Sequence, residues 1–173
     1  MAVLIMAVPQ VIPIRYEPDY RTDTIGRYAH GQFLASITWA FREGVGLPRD
    51  WPRHNRLYAV LHRFDPDGHH LDADIWFAGT WAEKQQHPPD QDPVLARAQS
   101  KMAELLGSLP EIEYGDIAIR PFRLKVDGVV FGLVVGGDEE YEWATLEPDD
   151  LFFTVRGMVA TTPELVGLLP TVR

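Results

Sequence analysis

Apolar and polar residues alternate along several short stretches of the chain, and this alternation predicts strands. The first such stretch covers residues 31–39, where every second position is apolar. The apolar positions are Phe33, Ala35, Ile37 and Trp39. That period is typical of a half-buried strand. Residues 15–30 and 42–56, on either side, carry charges, glycines and prolines without a clean period, so they are predicted to be loops.

The clearest hairpin joins residues 57–64 to residues 70–77 through Asp65-Pro66-Asp67-Gly68. This sequence suits a type I turn that ends in a left-handed glycine. Such a turn pairs residue 65 with residue 69, and the same register is expected along both strands. One face is then apolar, with the pairs Leu57–Phe77, Ala59–Ile75 and Leu61–Ala73. The other face carries the pairs His62–Asp72, Val60–Asp74, Phe64–His70 and Tyr58–Trp76.

Two more hairpins are predicted further along the chain. Asp127-Gly128 is a strong two-residue turn signal between residues 117–126 and 129–135. The expected pairs are Leu124–Phe131 and Phe122–Leu133. Pro121 interrupts the pattern just before, which predicts a bend or a sheet edge there. A third hairpin is predicted from residues 142–146 and 151–155, around the polar turn at residues 147–150.

One long helix follows a polar loop at residues 80–92. Asp92 is its predicted N-cap, Pro93 its first residue and Gly107 the glycine just beyond its end. The apolar residues at helical spacing are Val94, Leu95, Ala98, Met102, Leu105 and Leu106. A short helix or turn is predicted near the C-terminus, over residues 162–169.

These elements predict an α+β fold, in which a mainly antiparallel sheet built from hairpins packs against one main helix. Curvature of the sheet, or closure into a barrel, is a further option. The 173 residues are expected to form a single domain. Residues 1–10 are read either as a flexible tail or as the product of a mis-assigned start, because Met1-Ala2-Val3 recurs as Met6-Ala7-Val8.

Charge and composition exclude several classes of protein. The net charge is −9, which argues against a nucleic-acid binder, because such a protein needs a basic face. The chain has no cysteine, so disulfides, thiolate nucleophiles and cysteine-bound metals are excluded. Its apolar residues 1–8 are too few to span a bilayer. A cytoplasmic protein without membrane association is therefore expected.

The polar face of the first predicted hairpin is one candidate site. Directly opposite side chains in a hairpin approach closely, so Asp72 is expected to orient His62 as a general base, with Asp74 as a neighbour. The same side chains with His70 suggest an alternative His/Asp metal site. A solvated sheet face with an ordinary histidine–aspartate pair is a further reading. Tyr58, His70 and Trp76 are candidate ligand contacts on this face.

Residues 15–30 form the second candidate site. This stretch combines arginines that suit carboxylate or phosphate ligands with rigid amphipathic tyrosines of the kind found at interfaces. The candidate ligand- or partner-binding residues are Arg15, Tyr16, Tyr20, Arg21, Asp23 and Arg27. Alternatively, the arginines pair with aspartates of the same loop. No phosphate-binding loop, nucleophile elbow or zinc-protease motif occurs in the chain, so no cofactor is expected.

Three stretches carry a resemblance to a known family. They are residues 12–24 (Ile-Pro-Ile-Arg-Tyr-Glu-Pro-Asp-Tyr-Arg-Thr-Asp-Thr), 74–80 (Asp-Ile-Trp-Phe-Ala-Gly-Thr) and 114–122 (Tyr-Gly-Asp-Ile-Ala-Ile-Arg-Pro-Phe). From about residue 11 to about residue 155 the chain resembles small actinobacterial proteins that are automatically named "formate hydrogenlyase regulatory protein". From Arg156 onward it departs from that pattern. The resemblance implies no catalytic or binding residues, and the chain has no DNA-reading element that would match the regulatory name.

Three functions are compatible with the sequence. The first is a non-catalytic binding or interaction protein, immunity-like or accessory, whose acidic surface meets a basic protein partner. The second is a cofactor-independent enzyme, a cyclase or isomerase, that acts on a small apolar molecule in a sheet-lined cavity. The third is a metal enzyme that uses the histidines and aspartates of the first hairpin. A solid core with an exposed acidic patch favours the first function, and an open apolar cavity favours the second.

Overall fold

The fold is seen in a computed structural model, which describes residues 7–42, 49–138, 141–149 and 151–154. Eleven strands and three helices are found within these residues. The strands are β1 (Ile12–Ile14), β2 (Ile25–Tyr28), β3 (Gly31–Ala40), β4 (Arg56–Phe64), β5 (His70–Thr80), β6 (Glu113–Tyr114), β7 (Ile117–Ile119), β8 (Phe122–Val126), β9 (Val129–Gly137), β10 (Glu142–Glu147) and β11 (Leu151–Thr154). The helices are α1 (Trp51–His54), α2 (Trp81–Gln85) and α3 (Pro93–Gly107).

A five-stranded antiparallel sheet, in the order β5-β4-β3-β2-β6, lies at the centre of the molecule. Helix α3 packs on one face of it and buries the apolar positions that repeat at helical spacing. On this face Phe33, Ala35, Ala59 and Leu61 meet Met102 and Leu105. The predicted main helix and its packing on a sheet are therefore confirmed.

A four-stranded antiparallel sheet, in the order β11-β10-β9-β8, covers the other face. Between the two sheets lie fully buried side chains of the central strands, namely Tyr58, Val60, Phe64, Phe131 and Leu133. Both sheets have free edge strands among the described residues, so neither closes into a barrel. The predicted α+β class is thus confirmed as a layer of helix on two packed antiparallel sheets.

A small third sheet pairs β1 with β7, and one side chain ties it to the centre. The buried amide of Gln32, on β3, receives a hydrogen bond from the Ala118 amide at 2.7 Å and donates to the Ala118 carbonyl at 2.9 Å. Beyond Ile119 the chain passes Pro121 and enters β8 of the four-stranded sheet. The predicted break at Pro121 is confirmed as the place where the chain changes sheets.

Three predicted loops contain regular structure. Residues 15–30 include β2, because that segment pairs with β3 through Ile25↔Leu34. The loops at 42–56 and 80–92 contain the short helices α1 and α2. Gly107 is the last residue of α3 rather than a residue beyond it, and Ser108 is the C-cap. The predicted helix at 162–169 and residues 1–6 lie outside the described residues.

The N-terminus of α3 is capped as the sequence predicts, since the Asp92 carboxylate accepts a hydrogen bond from the Leu95 amide at 3.0 Å. Replacing Asp92 by alanine leaves that amide without its partner. We expect Asp92→Ala to lower the free energy of unfolding by about 1 kcal/mol, measured by urea denaturation. Asp90→Ala, two residues earlier and exposed, is the control and should change stability by less than about 0.5 kcal/mol.

No helix of the described residues combines the length and the apolar character that a membrane crossing needs.

Candidate functional site

A β-bulge decides which side chains share each face of the first hairpin. The predicted turn forms, with Gly68 in the left-handed region (φ 89°) and Phe64 paired with His70. The next pair is Arg63 with Asp72, so Leu71 has no partner on β4. From there to Phe77 the register is shifted by one residue relative to the prediction. The predicted pairs beyond Phe64–His70 are therefore wrong.

The shift has a physical reason, because the four-stranded sheet covers the face of β4 that carries His62. Continuous pairing would have turned Asp72 and Asp74 into the space between the sheets, and burying two carboxylates there is highly unfavourable. With the bulge, Ala73 and Ile75 face inward instead. A one-residue shift exchanges the two faces of a strand.

Both aspartates now bind an arginine on the helix side of the sheet. Arg63 donates to Asp72 at 2.9 Å and to Asp74 at 2.8 Å. Asp72 therefore does not orient His62, and this part of the general-base hypothesis is wrong. The observed partner of Leu61 is Asp74, and that of His62 is Ala73.

His62 instead lies in a cluster of four rings between the sheets. Its Nδ1 is 3.2 Å from Nε2 of His70, and His70 stacks on Phe122 with ring centres 4.3 Å apart. Phe64 completes the cluster, 5.2 Å from Phe122. Burial, together with the nearby His70, lowers the pKa of His62 to about 3. Burial also lowers the pKa of His70, although the charge of Asp72 opposes this. Both rings are thus neutral near pH 7.

The four residues of the proposed metal site lie on opposite faces of the sheet. His62 and His70 point between the sheets, whereas Asp72 and Asp74 point to the helix side with Arg63. Among the residues that the structure describes, no group of three or more metal-binding side chains is found. The prediction that these four side chains come together in one metal site is therefore wrong.

Tyr58 and Trp76, predicted as a pair, are also separated by the shifted register. Tyr58 pairs with Phe77 and is buried between the sheets, where its hydroxyl has no hydrogen-bond partner among the described residues. Trp76 pairs with Ala59 on the helix side, with the Lys101 ammonium 5.8 Å above its ring. The two side chains therefore do not form one ligand surface.

The second candidate stretch contributes to a surface cavity of about 550 Å³, which we call the acidic cleft. Its lining residues are Asp19, Tyr20, Arg21, Asp23, Thr24, Ala35, Ser36, Ile37, Met102 and Asp149. Ala35, Ile37 and Met102 give it an apolar side. Of its charged residues, three are carboxylates and one is a guanidinium, so the cleft is acidic.

Asp149 comes from the β10–β11 turn and lines the acidic cleft. Burial raises the pKa of its carboxyl, while a hydrogen bond from the Thr38 hydroxyl and the charge of Arg21 oppose the shift. Arg21 Nη1 also donates to the Asp149 carbonyl at 3.1 Å, which joins the loop to the turn. Arg21 forms no ion pair with Asp19 or Asp23 within the described chain, and both of these residues are exposed at the surface of the cleft.

The acidic cleft runs along a strand edge. β2 pairs with β3 only up to Leu34, and the last bond on that side joins the Ala35 amide to the Thr24 carbonyl at 2.9 Å. Alternate residues of an antiparallel strand direct their backbone groups to the same side, so Ile37 and Trp39 point theirs past the end of β2. No described strand pairs with β3 there.

The remaining predicted binding residues lie outside the acidic cleft. Arg15 is exposed, and the Tyr16 amide donates to the Asp116 carboxylate at 2.7 Å. Arg27 lies on β2 and lines a second surface cavity, beside Tyr28 and Asp116. The structure thus brings together Tyr20, Arg21 and Asp23 but not the whole predicted set.

Sequence reasoning missed two parts of the acidic cleft. The sequence predicts Asp149 only as part of a polar turn, and nothing in the local pattern shows that this turn reaches the loop around Arg21. The free edge of β3 was also missed, because the length of β2 was not predicted. Residues 25–28 show no alternation that would predict β2, because Ile25 and Arg27 lie on one face of the strand and only Ile25 is buried.

The chain was compared with models of protein families, with curated proteins and with solved structures. None of the three comparisons finds a match.

Proposed function

We propose that this protein is a non-catalytic binding protein whose acidic cleft holds a basic, extended segment of a protein partner. The observation that supports this most directly is that three carboxylates lie beside a part of the β3 edge with which no described strand pairs. An extended peptide is recognised at such an edge by main-chain hydrogen bonds, while side-chain contacts select its sequence.

The charges of the acidic cleft favour a basic segment over an acidic one. Asp19 and Asp23 are exposed at the surface of the cleft, and a lysine or arginine of the bound segment can reach them without being desolvated. The apolar side, formed by Ala35, Ile37 and Met102, suits the apolar residue that alternates with a basic one in an extended chain.

The enzyme alternative has less support from the geometry. A cyclase or isomerase for an apolar molecule needs a shaped apolar cavity. The space between the two sheets is instead filled by side chains such as Phe64, Phe131 and Leu133, each with no exposed surface. The acidic cleft is lined in large part by charged residues, which suits a cationic partner better than a small apolar molecule.

The test uses a synthetic hexapeptide of alternating lysine and valine with blocked ends, titrated by calorimetry and by amide NMR. We expect binding, with shifts at the amides of Ile37 and Trp39. Asp19→Asn with Asp23→Asn should weaken binding about three- to tenfold, since exposed charge pairs are worth under about 1 kcal/mol each. The matched control is Asp67→Asn with Asp90→Asn, which removes the same charge from other exposed positions.

Two further peptides separate the parts of the proposal. Replacing lysine by glutamate in the peptide should abolish binding, because the carboxylates of the acidic cleft repel glutamate. Methylating alternate backbone nitrogens should abolish it through loss of main-chain hydrogen bonds. No binding of the lysine–valine peptide, or equal binding to the cleft variant and the control variant, contradicts the proposal.

A further inference from the structure

Four arginines lie at one end of the five-stranded sheet, the end at which β3 stops and β4 begins. Arg56 is the first residue of β4 and pairs with Ala40, the last residue of β3. Arg42 follows Ala40 by two positions, Arg53 lies in α1, and Arg49 lies in the turn before α1. We call this group the basic end, formed by Arg42, Arg49, Arg53 and Arg56.

Contacts with neighbouring elements hold the backbone of the basic end in place. The Trp81 amide, at the start of α2, donates to the Asn55 carbonyl at 2.9 Å, and the rings of Trp51 and Trp81 are 6.0 Å apart. These contacts fix α1 against α2. The side chain of Arg42 lies against Gly128 in the β8–β9 turn, where a β-carbon on Gly128 would be 3.2 Å from Arg42 Cγ.

The charges of the basic end are not neutralised within the described part of the chain. None of its four guanidinium groups forms an ion pair there, whereas Arg63 and Arg97 each bind a carboxylate. Asp50, which precedes α1, binds His54 at 3.1 Å instead. Asp127 of the β8–β9 turn is exposed and makes no ion pair with a described arginine. The basic end therefore reverses the sign of a chain whose net charge is −9.

An exposed aromatic ring lies beside these charges. Phe77 of β5 is 44% exposed, and Cζ of Arg56 is 5.3 Å from the centre of its ring. This cation–π contact orients the guanidinium without neutralising its charge. Trp51 is only partly buried and adds a second aromatic surface. Arginines beside tryptophan and other aromatic rings are typical of the residues that contribute most to binding at protein interfaces.

We infer that the basic end binds an acidic segment of a protein partner, in which carboxylates flank an aromatic residue. A guanidinium binds a carboxylate through two parallel hydrogen bonds, and the aromatic residue of the segment covers Phe77. None of the four arginines lines the acidic cleft. The inference therefore does not rest on the proposed function.

The charge of the whole molecule favours a short acidic segment over a nucleic acid or an anionic membrane. Both of those carry negative charge over a long distance. They would bring it against the rest of a protein whose net charge is −9, and the repulsion opposes binding. A segment of a few residues contacts the basic end alone.

Fluorescence anisotropy of a labelled, end-blocked octapeptide tests the inference with the full chain. In this peptide, pairs of glutamates are separated by single phenylalanines. We expect binding that weakens as the salt concentration rises. Arg49→Gln with Arg53→Gln should weaken binding about three- to tenfold, since exposed charge pairs are worth under about 1 kcal/mol each. The matched control is Arg15→Gln with Arg27→Gln, which removes the same charge from exposed arginines away from the basic end and should leave binding unchanged.

A second pair of variants tests the aromatic contact. Phe77→Ala should weaken binding of the octapeptide about three- to fivefold, because apolar surface is no longer buried. It should not change binding of a peptide with serine in place of phenylalanine. Leu71→Ala, at the other end of β5 and 56% exposed, is the control and should bind both peptides like the unaltered chain. Circular dichroism verifies that each variant is folded.

Three results overturn the inference. The first is no binding of the octapeptide to the unaltered chain. The second is equal weakening by the control pair Arg15→Gln with Arg27→Gln, because the effect would then follow net charge alone. The third is tighter binding of a thymidine oligonucleotide or of phosphatidylserine vesicles than of the octapeptide, which assigns the basic end to a polyanion. Failure of the lysine–valine peptide at the acidic cleft contradicts only the proposed function, since the two peptides test different surfaces.

Discussion

Acidification from pH 6.5 to pH 5 is expected to lower the free energy of unfolding by about 2 kcal/mol through His62 alone. In the unfolded chain this histidine binds a proton near its ordinary pKa of 6.5, whereas burial lowers its pKa to about 3 in the fold. The unfolded state therefore gains protons that the folded state does not. The stability is complete above pH 6.5 and is lost progressively as the pH falls toward 3.

Urea denaturation of the unaltered chain and of His62→Leu at both pH values measures this effect. Within the described part of the chain, the rings of Phe64, His70 and Phe122 contact His62, and its pKa is shifted by burial and by His70, with no carboxylate to offset the loss. His62→Leu should lose about 2 kcal/mol less on acidification than the unaltered chain. His87→Gln, at an exposed histidine, is the control and should keep the full loss. An unchanged loss in His62→Leu contradicts the prediction.

The second large effect is expected at Phe131, which has no exposed surface and lies between the two sheets. Its ring meets Tyr58 edge to face, with centres 5.4 Å apart. Phe131→Ala removes this contact and leaves a cavity between the two sheets. The sheets cannot move together to fill this cavity, because each is held by the hydrogen bonds between its strands. We expect a loss of about 3–5 kcal/mol in the free energy of unfolding, measured by urea denaturation.

A partly exposed side chain provides the comparison. Leu95 on α3 is 37% exposed, and Leu95→Ala should lose less than about 1 kcal/mol. Both variants are measured at one protein concentration, so that any association contributes equally. If Phe131→Ala loses no more than Leu95→Ala, the two sheets do not share a packed core.

Local chemistry in the sequence predicts the turns and the helix cap well. Asp127-Gly128 defines a hairpin whose pairs Leu124–Phe131 and Phe122–Leu133 are both observed. Asp92 caps α3 as expected. In each case neighbouring residues contain the whole physical cause, because a left-handed glycine or a capping carboxylate acts within a few positions.

The predictions that failed depend on contacts between distant parts of the chain. Both faces of β4 are rich in apolar residues, so the pattern alone does not say that a second sheet covers the face with His62. Without that sheet there is no reason for Asp72 and Asp74 to turn away from it. Asp149 meets Thr38 and Arg21 only because the β10–β11 turn folds back over β3.

At Leu71, the residue in the β-bulge, a deletion is expected to change the structure much more than a substitution. Because this residue has no partner on β4, its side chain can be exchanged with little effect on its neighbours. Deleting Leu71 would remove the bulge. Every following residue as far as Phe77 would then turn its side chain to the opposite face of the sheet. We therefore expect sequences that derive from this one to differ in the residue at position 71 but to keep a residue at that position.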